Sequence, residues 1–486
     1  MAFAITQTCC ADATCVSVCP VNCIHPTPDE PDFGRTDMLY IDPATCIDCG
    51  ACADACPVDA IFPAGDLTGP LRVYEELNAE YYAGRDVLAE VSAAPNFHRW
   101  APPAFERVLP SDFAPLDVAV VGTGPAGMYA VEDLLLHTNA RVTLVDRLPV
   151  AGGLIRYGVA PDHPSTKKIG ETFARFHDHP RLRLRLGVTA GAELAGRHDA
   201  VIFAVGATEA RPLGVPGEDL PGSVPAATVV GWYNGHPDVE PDAVDLSAER
   251  VVVVGTGNVA LDIARILTAD PEQLAGTSIA PEALARLRSS KVREVVVLAR
   301  RGPETAAYTR SELLALAARG DLVVDTHDPR IAAAIDTAEG KAAWLRGVRR
   351  EQVDWSVPPP DGRRIVLRFH SAPVAFRGDT EVRAVLTSGE VEIPAGRVIR
   401  AAGFRGTAVP GLPFDEESGT VPNTAGRVAG LPGVYVAGWI KRGPSGGIGA
   451  NKACARETIG ALLEDAVAGR LPVRRRGVGA RLRGRA

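Results

Sequence analysis

The first 56 residues hold nine of the ten cysteines, and the tenth is Cys454. Residues 46–57 read C-x2-C-x2-C-x3-C-P, with cysteines at positions 46, 49, 52 and 56. Three closely spaced thiolates can bind one iron–sulfur cube, and the fourth cysteine of such a run then reaches a second cluster. A structural zinc site needs only four ligands and has no use for the x3-C-P ending. The run therefore predicts iron–sulfur clusters.

An earlier, irregular copy of the same motif lies at Cys9, Cys15 and Cys19-Pro20. On the same spacing, Asp12 stands where the second cysteine is expected. A carboxylate is a harder and weaker ligand for the iron of such a cluster than a thiolate. This copy predicts either a three-iron cluster that lacks this corner or a four-iron cluster with a labile, Asp-ligated iron.

Exchanging the fourth cysteines between the two copies assigns the ligands. The regular four-iron (4Fe-4S) cluster takes Cys19, Cys46, Cys49 and Cys52. The irregular cluster (3Fe-4S or labile 4Fe-4S) takes Cys9, Cys15 and Cys56, with Asp12 as an optional ligand. Cys10 and Cys23 are left over; Cys10 can rotate in as a ligand, but a packed free thiol is the more common fate of a spare cysteine. Residues 2–65 closely resemble the two-cluster, seven-iron class of bacterial ferredoxins.

A glycine-rich turn, Gly122-Thr-Gly124-Pro-Ala126-Gly127, joins an apolar strand at 118–121 to a helical pattern that runs through residue 137. A second apolar strand at 142–145 is followed by Asp146. Such glycines let the backbone approach a pyrophosphate at the helix N-terminus, and an acid at the end of the second strand can hold a ribose hydroxyl. This order of elements predicts a Rossmann-like dinucleotide-binding unit.

A second turn, Gly255-Thr-Gly257-Asn258-Val259-Ala260, follows the strand at 250–254 and has alanine at the third glycine position. The next strand, at 294–299, ends in Arg300-Arg301 rather than in an acid. Paired arginines can bind a 2′-phosphate and so select NADP over NAD, and the alternative is a surface pair that caps the strand. We therefore expect NADP in this unit, and FAD in the first unit together with the C-terminal section.

Four stretches resemble the adrenodoxin-reductase-type ferredoxin–NADP reductases, within a similarity that spans residues 116 to about 466. They are GLIRYGVAPDHP at 153–164, PGED at 216–219, GNVALD at 257–262 and GWIKRGPSGGIG at 438–449. With the cysteine module in front, the whole chain resembles the actinobacterial ferredoxin/ferredoxin–NADP reductase fusions. A disulfide reductase would need a redox cysteine pair near the flavin, but only Cys454 exists outside the cysteine module.

The resemblance implies residues for both dinucleotides. FAD contacts are Gly122, Gly124, Ala126, Gly127, Asp146, Leu154, Val188, Trp439, Gly446, Gly447 and Ile448. NADP contacts are Thr256, Gly257, Asn258, Val259, Arg300, Arg301 and Glu312, with Gly446 near the nicotinamide. Taken alone, Glu312 would be a solvated helix acid, Trp439 a core residue and His163 a structural residue in a Pro-flanked turn. No catalytic side chain is predicted, because flavin itself links hydride transfer to single-electron transfer.

These sites require an α/β chain of several domains, which 486 residues can supply. The predicted domains are an α+β two-cluster ferredoxin at 1–70, a Pro-containing connector at 71–115, an FAD-binding domain at 116–215 and 400–469, an NADP-binding domain at 216–399 that interrupts it, and a basic tail at 470–486. Residues 1–70 hold nine Asp and one Glu against one Arg, so this module is expected to dock on a less acidic reductase surface. The seven arginines of the tail indicate a solvated end rather than a nucleic-acid site.

We expect a cytoplasmic protein with neither a membrane nor a nucleic-acid partner, because the sequence has no long apolar run and no secretory signal. The predicted function is a ferredoxin–NADP reductase with a fused ferredoxin. Hydride passes from NADPH to FAD, and single electrons then pass through the clusters to an external acceptor such as a ferredoxin or a cytochrome. Two alternatives stay open: an electron-input subunit similar to the small subunit of glutamate synthase, and an electron carrier that binds dinucleotides without turnover.

Overall fold

The computed structural model describes residues 2–83, 109–337 and 340–472. Most of the predicted connector, residues 84–108, and most of the basic tail, residues 473–486, lie outside the described residues. None of the described helices has the length and apolar character needed to cross a membrane.

The N-terminal module is built from short elements around the cysteines. They are β1 (Phe3–Ile5), α1 (Thr14–Val18), β2 (Ile24–His25), β3 (Tyr40–Ile41), α2 (Ala51–Asp54), β4 (Ile61–Pro63) and α3 (Val73–Tyr82), with 3-10 turns at Ala64–Asp66 and Gly69–Arg72. β1 pairs antiparallel with β4, and β2 pairs antiparallel with β3. Each cysteine motif therefore lies between two strands of a small α+β module, as the sequence predicts.

The two cysteine motifs share one backbone conformation. Ala11 and Asp48, at corresponding positions, have φ of 52° and 59°, and Ala13 and Gly50 have φ of 61° and 73°. Positive φ is uncommon for residues other than glycine, so its occurrence at matching positions marks a true structural repeat. The helices α1 and α2 that follow these turns pack against each other.

Helix α3 lies in the predicted connector, but it packs on the N-terminal module. The buried amide of Asn78 accepts hydrogen bonds from the backbone N–H groups of Ile5 (3.1 Å) and Ile41 (2.8 Å) and donates to Ile5 O (2.9 Å). The Tyr82 hydroxyl donates to the carbonyl oxygens of Cys23 and Tyr40. The folded module thus extends to this helix because α3 satisfies backbone groups of strands β1 and β3.

The next section begins with the first glycine-rich turn. Its elements are β5 (Asp117–Val121), α4 (Pro125–His137), β6 (Arg141–Val145), α5 (Gly153–Tyr157), α6 (Pro164–Lys167), α7 (Ile169–Ala174), β7 (Leu182–Arg185), a 3-10 turn (Ala192–Gly196), β8 (Ala200–Phe203) and β9 (Glu209–Ala210). β5 pairs parallel with β6 and β8. Its residues from 118 to 121 are all buried, as expected for a central strand covered on both faces.

The middle section forms a second parallel sheet. Its elements are β10 (Ser223–Pro225), α8 (Ala226–Tyr233), β11 (Arg250–Val254), α9 (Asn258–Thr268), α10 (Pro271–Leu274), α11 (Pro281–Arg288), β12 (Glu294–Leu298), α12 (Arg310–Ala317), β13 (Leu322–Asp325), α13 (Pro329–Thr337), β14 (Arg349–Glu351), β15 (Arg364–Arg368), β16 (Pro373–Arg377), β17 (Ala384–Thr387), β18 (Val391–Pro394) and β19 (Arg397–Arg400), with 3-10 turns at Pro303–Thr305 and Gly340–Leu345. The seven-stranded sheet has the order β10-β19-β11-β12-β15-β13-β14, and β16-β17-β18 form a separate antiparallel sheet.

The C-terminal section returns to the first sheet. It contains β20 (Phe404–Arg405), β21 (Asn423–Thr424), β22 (Arg427–Val428), β23 (Val434–Val436), α14 (Trp439–Arg442) and α15 (Ala450–Val467). The first sheet has the order β21-β22-β23-β8-β5-β6-β7, and α15 packs on α4. One Rossmann-like unit is therefore interrupted by the other, as predicted.

Candidate cofactor sites

The structure brings the predicted cluster ligands together in two groups. The thiol of Cys15 lies within electrostatic reach of Cys9, Cys56 and the Asp12 carboxylate, and more weakly of Cys52. The thiol of Cys52 lies within reach of Cys19, Cys46 and Cys49. Each group contains the fourth cysteine of the other motif, and the assignment of these thiols as cluster ligands stays a prediction.

The two spare cysteines each lie beside one group. Cys23 Sγ is 3.4 Å from Cys19 Sγ. Cys10 is buried and lies within electrostatic reach of Cys9, Asp12 and Cys56. Cys10 is thus the additional thiol nearest the irregular group, whereas the Asp12 carboxylate accepts a hydrogen bond from the Thr14 hydroxyl.

Both thiol groups fit an iron–sulfur cluster. Burial raises the pKa of Cys9 and of Cys52 to about 11, so the cation of a metal centre is needed to hold them as thiolates at neutral pH. Backbone N–H groups already point at the sulfurs: Ala11 N lies 3.4 Å from Cys9 Sγ, and Ala60 N lies 3.2 Å from Cys56 Sγ.

A buried hydroxyl of the reductase faces the irregular group. Tyr129 of α4 is 5% exposed, and its hydroxyl has no hydrogen-bond partner among the described residues. Burial raises its pKa well above the ordinary value, and the charges of Cys10 and Asp12 raise it further. Because a buried hydroxyl without a partner is costly, this donor fits a group bound between the two modules.

The N-terminal module contacts the reductase through the irregular motif. Gly449 N donates to the carbonyl oxygen of Cys10 (2.9 Å), and Lys452 Nζ lies 3.2 Å from the carbonyl oxygen of Asp12. A Cβ at Gly449 would overlap the carbonyl oxygens of Cys10 and Ala11, so only glycine permits this approach. The contact lies directly after the glycines at 446 and 447.

Acid–base pairs also join the N-terminal module to the following sections. Lys168 pairs with Asp59, and Arg310 pairs with Glu80. Arg310 N also donates to the Asp37 carboxylate (2.7 Å). These pairs place acidic residues of the N-terminal module opposite basic side chains of the following sections, and they are largely exposed to solvent.

The first glycine-rich turn has the close packing that a pyrophosphate site requires. A Cβ at Gly127 would overlap the carbonyl oxygen of Gly122, and a Cβ at Gly153 would lie 2.8 Å from Gly124 Cα. A Cβ at Gly438, before α14, would lie 2.5 Å from that of Ala126. Residues from the first and last sections thus converge on the N-terminus of α4.

Asp146 is buried at the end of β6 and holds this turn. Its carboxylate accepts hydrogen bonds from the backbone N–H and the hydroxyl of Thr123 (2.8 and 2.6 Å) and from Leu148 N (2.9 Å). Val188 N in turn donates to the Asp146 carbonyl oxygen (2.9 Å). The Asp146 carboxylate therefore positions the glycine-rich turn. A ribose hydroxyl that binds there would share this carboxylate with Thr123 and Leu148.

The C-terminal loop adds the remaining predicted FAD residues. Leu154 and Ile448 are half-buried, and a Cβ at Gly447 would meet nothing within 4 Å. Trp439 is half-buried rather than in the core, and its indole N–H donates to Ser445 O (3.1 Å). The open space at this loop can accommodate a ligand.

The second glycine-rich turn also leaves room at the N-terminus of α9. A Cβ at Gly257 would meet nothing within 4 Å. The Thr256 hydroxyl accepts from Ala307 N (3.1 Å), and the Asn258 amide accepts from Thr309 N (2.9 Å). These two side chains fix the neighbouring loop, which leaves the backbone N–H groups at Gly257–Val259 to face a ligand.

Arg300 and Arg301 are both exposed just after β12. Within the described ranges 2–83, 109–337 and 340–472, no carboxylate lies within 4 Å of either guanidinium group. Two uncompensated positive charges at the end of this strand suit an anionic ligand such as a phosphate.

Glu312 is buried, not solvated, and belongs to an ionic network that the sequence did not reveal. Arg265, also buried, donates to Asp162 (2.7 Å), Asp262 (2.7 Å) and Glu312 (3.2 Å). His163 Nε2 lies 4.0 Å from the Glu312 carboxylate. Burial raises the pKa of Glu312, and the charge of Asp262 raises it further. The Arg265 guanidinium supplies one positive charge that these three acids share.

The chain matches two family models. Residues 116–302 match the pyridine nucleotide-disulphide oxidoreductase family, and residues 39–62, which contain the regular cysteine motif, match the 4Fe-4S binding domain. A Mycobacterium tuberculosis protein named probable ferredoxin/ferredoxin–NADP reductase is 45% identical, over 97% of this chain and 85% of that protein. The chain belongs to the ferredoxin/ferredoxin–NADP reductase family.

Two further relatives match about three quarters of the chain. Mouse mitochondrial NADPH:adrenodoxin oxidoreductase is 38% identical, over 73% of this chain and 79% of that protein. The solved structure of Mycobacterium tuberculosis FprA in complex with NADPH is 40% identical and has a TM-score of 0.66, over 74% of this chain and 87% of that chain.

Membership of the ferredoxin/ferredoxin–NADP reductase family confirms the predicted fold class and the predicted oxidoreductase class. The family implies FAD and NADP, and the 4Fe-4S match supports one four-iron cluster in the fused ferredoxin. The sequence interpretation gave no role to Arg265, Tyr129 or Gly449. Only Gly449 had a signal, because it closes the family-like GGIG run; the partners of the other two are distant in sequence.

Proposed function

We propose that this chain oxidises NADPH and passes the electrons, through its own ferredoxin, to an external one-electron acceptor. One NADPH reduces two acceptor molecules and yields NADP+ and one proton. FAD, when bound, supplies the chemistry that joins two-electron hydride transfer to single-electron transfer. The observation that carries the proposal is the hydrogen bond from Gly449 to Cys10, which joins the C-terminal loop of the FAD site to the irregular cysteine motif.

The chain's own residues hold and orient the cofactors. We assign FAD to residues 116–215 and 400–469 and NADP to residues 216–399, with the contact residues predicted from the sequence. Arg300 and Arg301 would hold the 2′-phosphate, because their charges are uncompensated. Arg265 orients Glu312, a predicted NADP contact, and it links the two units through Asp162.

The proposed acceptor is a ferredoxin or a cytochrome, and the proposed location is the cytoplasm. We propose no nucleic-acid or membrane partner. The irregular group, Cys9, Cys15 and Cys56 with Asp12, would hold a three-iron cluster or a labile four-iron cluster. Its support is the position of the Asp12 carboxylate beside these three thiols.

An anaerobic NADPH titration, followed by absorbance and electron paramagnetic resonance, tests the overall proposal. We expect reduction of flavin and of both clusters, and reduction of cytochrome c by the isolated chain. Failure of the isolated chain to reduce cytochrome c or a ferredoxin would favour the electron-input subunit. Absence of flavin reduction by NADPH would favour the carrier without turnover.

The arginine pair gives a sharper test of the NADP site. Replacing Arg300 and Arg301 together with Ser removes both charges, so we expect KM for NADPH to rise by about tenfold or more while KM for NADH changes little. Arg383→Ser, which alters an arginine of the same unit that is 72% exposed, is the matched control. Equal losses with NADPH and NADH would contradict a 2′-phosphate site.

Reciprocal substitutions test the irregular cluster. Asp12→Cys completes a four-thiolate set, and we expect a conventional four-iron signal in place of the irregular one. Cys49→Asp makes the corresponding change in the regular motif, and we expect its cluster to lose iron readily. Iron content and electron paramagnetic resonance provide the measurement. An unchanged spectrum of Asp12→Cys would show that Cys10 already serves as the fourth ligand.

A further inference from the structure

The structural repeat places two equivalent loops on the N-terminal module. We call residues 9–12 the first loop and residues 46–49 the second loop. Both precede a short helix, and both contain positive φ at the same position, Ala11 and Asp48. In this alignment Ile47 corresponds to Cys10, and Cys49 corresponds to Asp12.

The first loop is covered by the reductase. Cys10 is 9% exposed, and its carbonyl oxygen accepts the hydrogen bond from Gly449. Lys452 contacts the carbonyl oxygen of Asp12, so a cation of the reductase also faces this loop. The surface that binds the first loop therefore has two features. Its backbone comes close to the loop, and a basic side chain lies beside that contact.

The second loop is open to solvent. Ile47 is 56% exposed, although it occupies the position at which Cys10 is covered. Cys49 is the only exposed residue among the ten cysteines, all of which lie in the described ranges. A single exposed apolar residue is ordinary on a protein surface. An exposed apolar residue beside the most accessible predicted cluster ligand is placed where an electron-transfer partner would need to dock.

The charge around the second loop is acidic. Residues 1–70 hold nine Asp and one Glu against one Arg. Asp48 lies in the second loop, and Asp54 lies at the end of α2; both are exposed. A partner for this loop therefore needs a basic surface, because acidic residues around a docking site attract and orient a positively charged partner.

We propose that the second loop is the docking site for the external acceptor, a protein that presents basic side chains around an apolar contact. This inference rests on the proposed function and adds the surface from which electrons leave the chain. The reductase docks on the first loop, and the acceptor docks on its structural equivalent. Each docked acceptor takes one electron, so the oxidation of one NADPH requires two docking events.

The experiment uses the full chain with both clusters and cytochrome c, a basic one-electron acceptor. Binding of the oxidised chain to oxidised cytochrome c is measured by calorimetry at low ionic strength. Ile47→Arg removes the apolar contact and adds a like charge, so we expect the dissociation constant to rise at least tenfold. Leu136→Arg changes a side chain of α4 that is 60% exposed and serves as the matched control. Iron content and paramagnetic spectra must match wild type in both variants.

Carbodiimide coupling locates the site without a substitution. In the wild-type complex, we expect lysines of cytochrome c to couple to Asp48 or Asp54, as mapped by mass spectrometry. Coupling only to acids of the reductase, or equal binding by Ile47→Arg and wild type, would overturn the docking site. Reduction of flavin by NADPH and of ferricyanide, which needs no protein docking, tests the proposed function separately. If both reductions fail but coupling still maps to the second loop, the proposed function is wrong and the docking site is retained.

Discussion

The first and second loops share a backbone but not an environment. The first loop belongs to the motif in which Asp12 stands in place of a cysteine, and it lies against the reductase. The second loop belongs to the motif with all four cysteines, and it faces solvent. The ligand substitution occurs in the copy that the reductase covers. Duplication thus supplied two equivalent surfaces, and the surroundings rather than the backbone distinguish the inner site from the outer one.

The largest expected effect comes from the fourth cysteines, which distinguish the two copies directly. Cys19→Ser should abolish the signal of the regular four-iron cluster, and Cys56→Ser should abolish that of the irregular cluster, because each residue lies in the group of the other motif. Paramagnetic resonance and iron content of the two matched variants provide the measurement. Losses assigned the other way round would show that each motif binds its own cluster.

An intermediate effect is expected where the reductase covers the first loop. Gly449→Ala would force a Cβ into the carbonyl oxygens of Cys10 and Ala11, and relief of such overlap costs about 1–3 kcal/mol. We expect cluster reduction by NADPH to slow about tenfold in stopped-flow absorbance, with flavin reduction unchanged.

Gly276→Ala is the control for this substitution, because a Cβ there meets nothing within 4 Å. If cluster reduction in Gly449→Ala proceeds at the wild-type rate, the contact between the first loop and the reductase does not determine electron transfer.

The smallest effect is expected from the ion pairs at the edge of the covered surface. Lys168–Asp59 and Arg310–Glu80 are largely exposed, and solvent screens exposed pairs so that they contribute little. Asp59→Asn should therefore change the NADPH-to-cluster rate less than twofold. Raising the salt concentration should weaken cytochrome c binding much more than internal cluster reduction. A steep salt dependence of internal reduction would instead show that charge holds the modules together.

The sequence predicted features that depend on local patterns. The cysteine spacings gave the two ligand groups, and the glycine-rich turns with their flanking strands gave two Rossmann-like units, one interrupting the other. Asp146 was expected at the end of its strand, where the structure places it. Its hydrogen bonds to Thr123 depend on the folded turn, and the sequence offered no signal for them.

Features that depend on contacts between distant segments were not predicted. The sequence suggested that Glu312 is a solvated helix acid. In the structure it is buried beside Arg265, which belongs to another helix, and His163, which belongs to another section of the chain. Helix α3 lies in a stretch that the sequence predicts to be a connector, and the contacts of Asn78 and Tyr82 show that it completes the module. Such pairings become visible only when the tertiary structure is known.

The interrupted first sheet also has a consequence for biosynthesis. The loop that contains Cys10 is synthesised before Gly449 and helix α15, which contact it. Domains generally fold in the order of synthesis. We therefore expect the first loop to be covered only after the C-terminal segment has folded, so that a cluster would enter the inner site before that step. The second loop stays exposed in the folded protein.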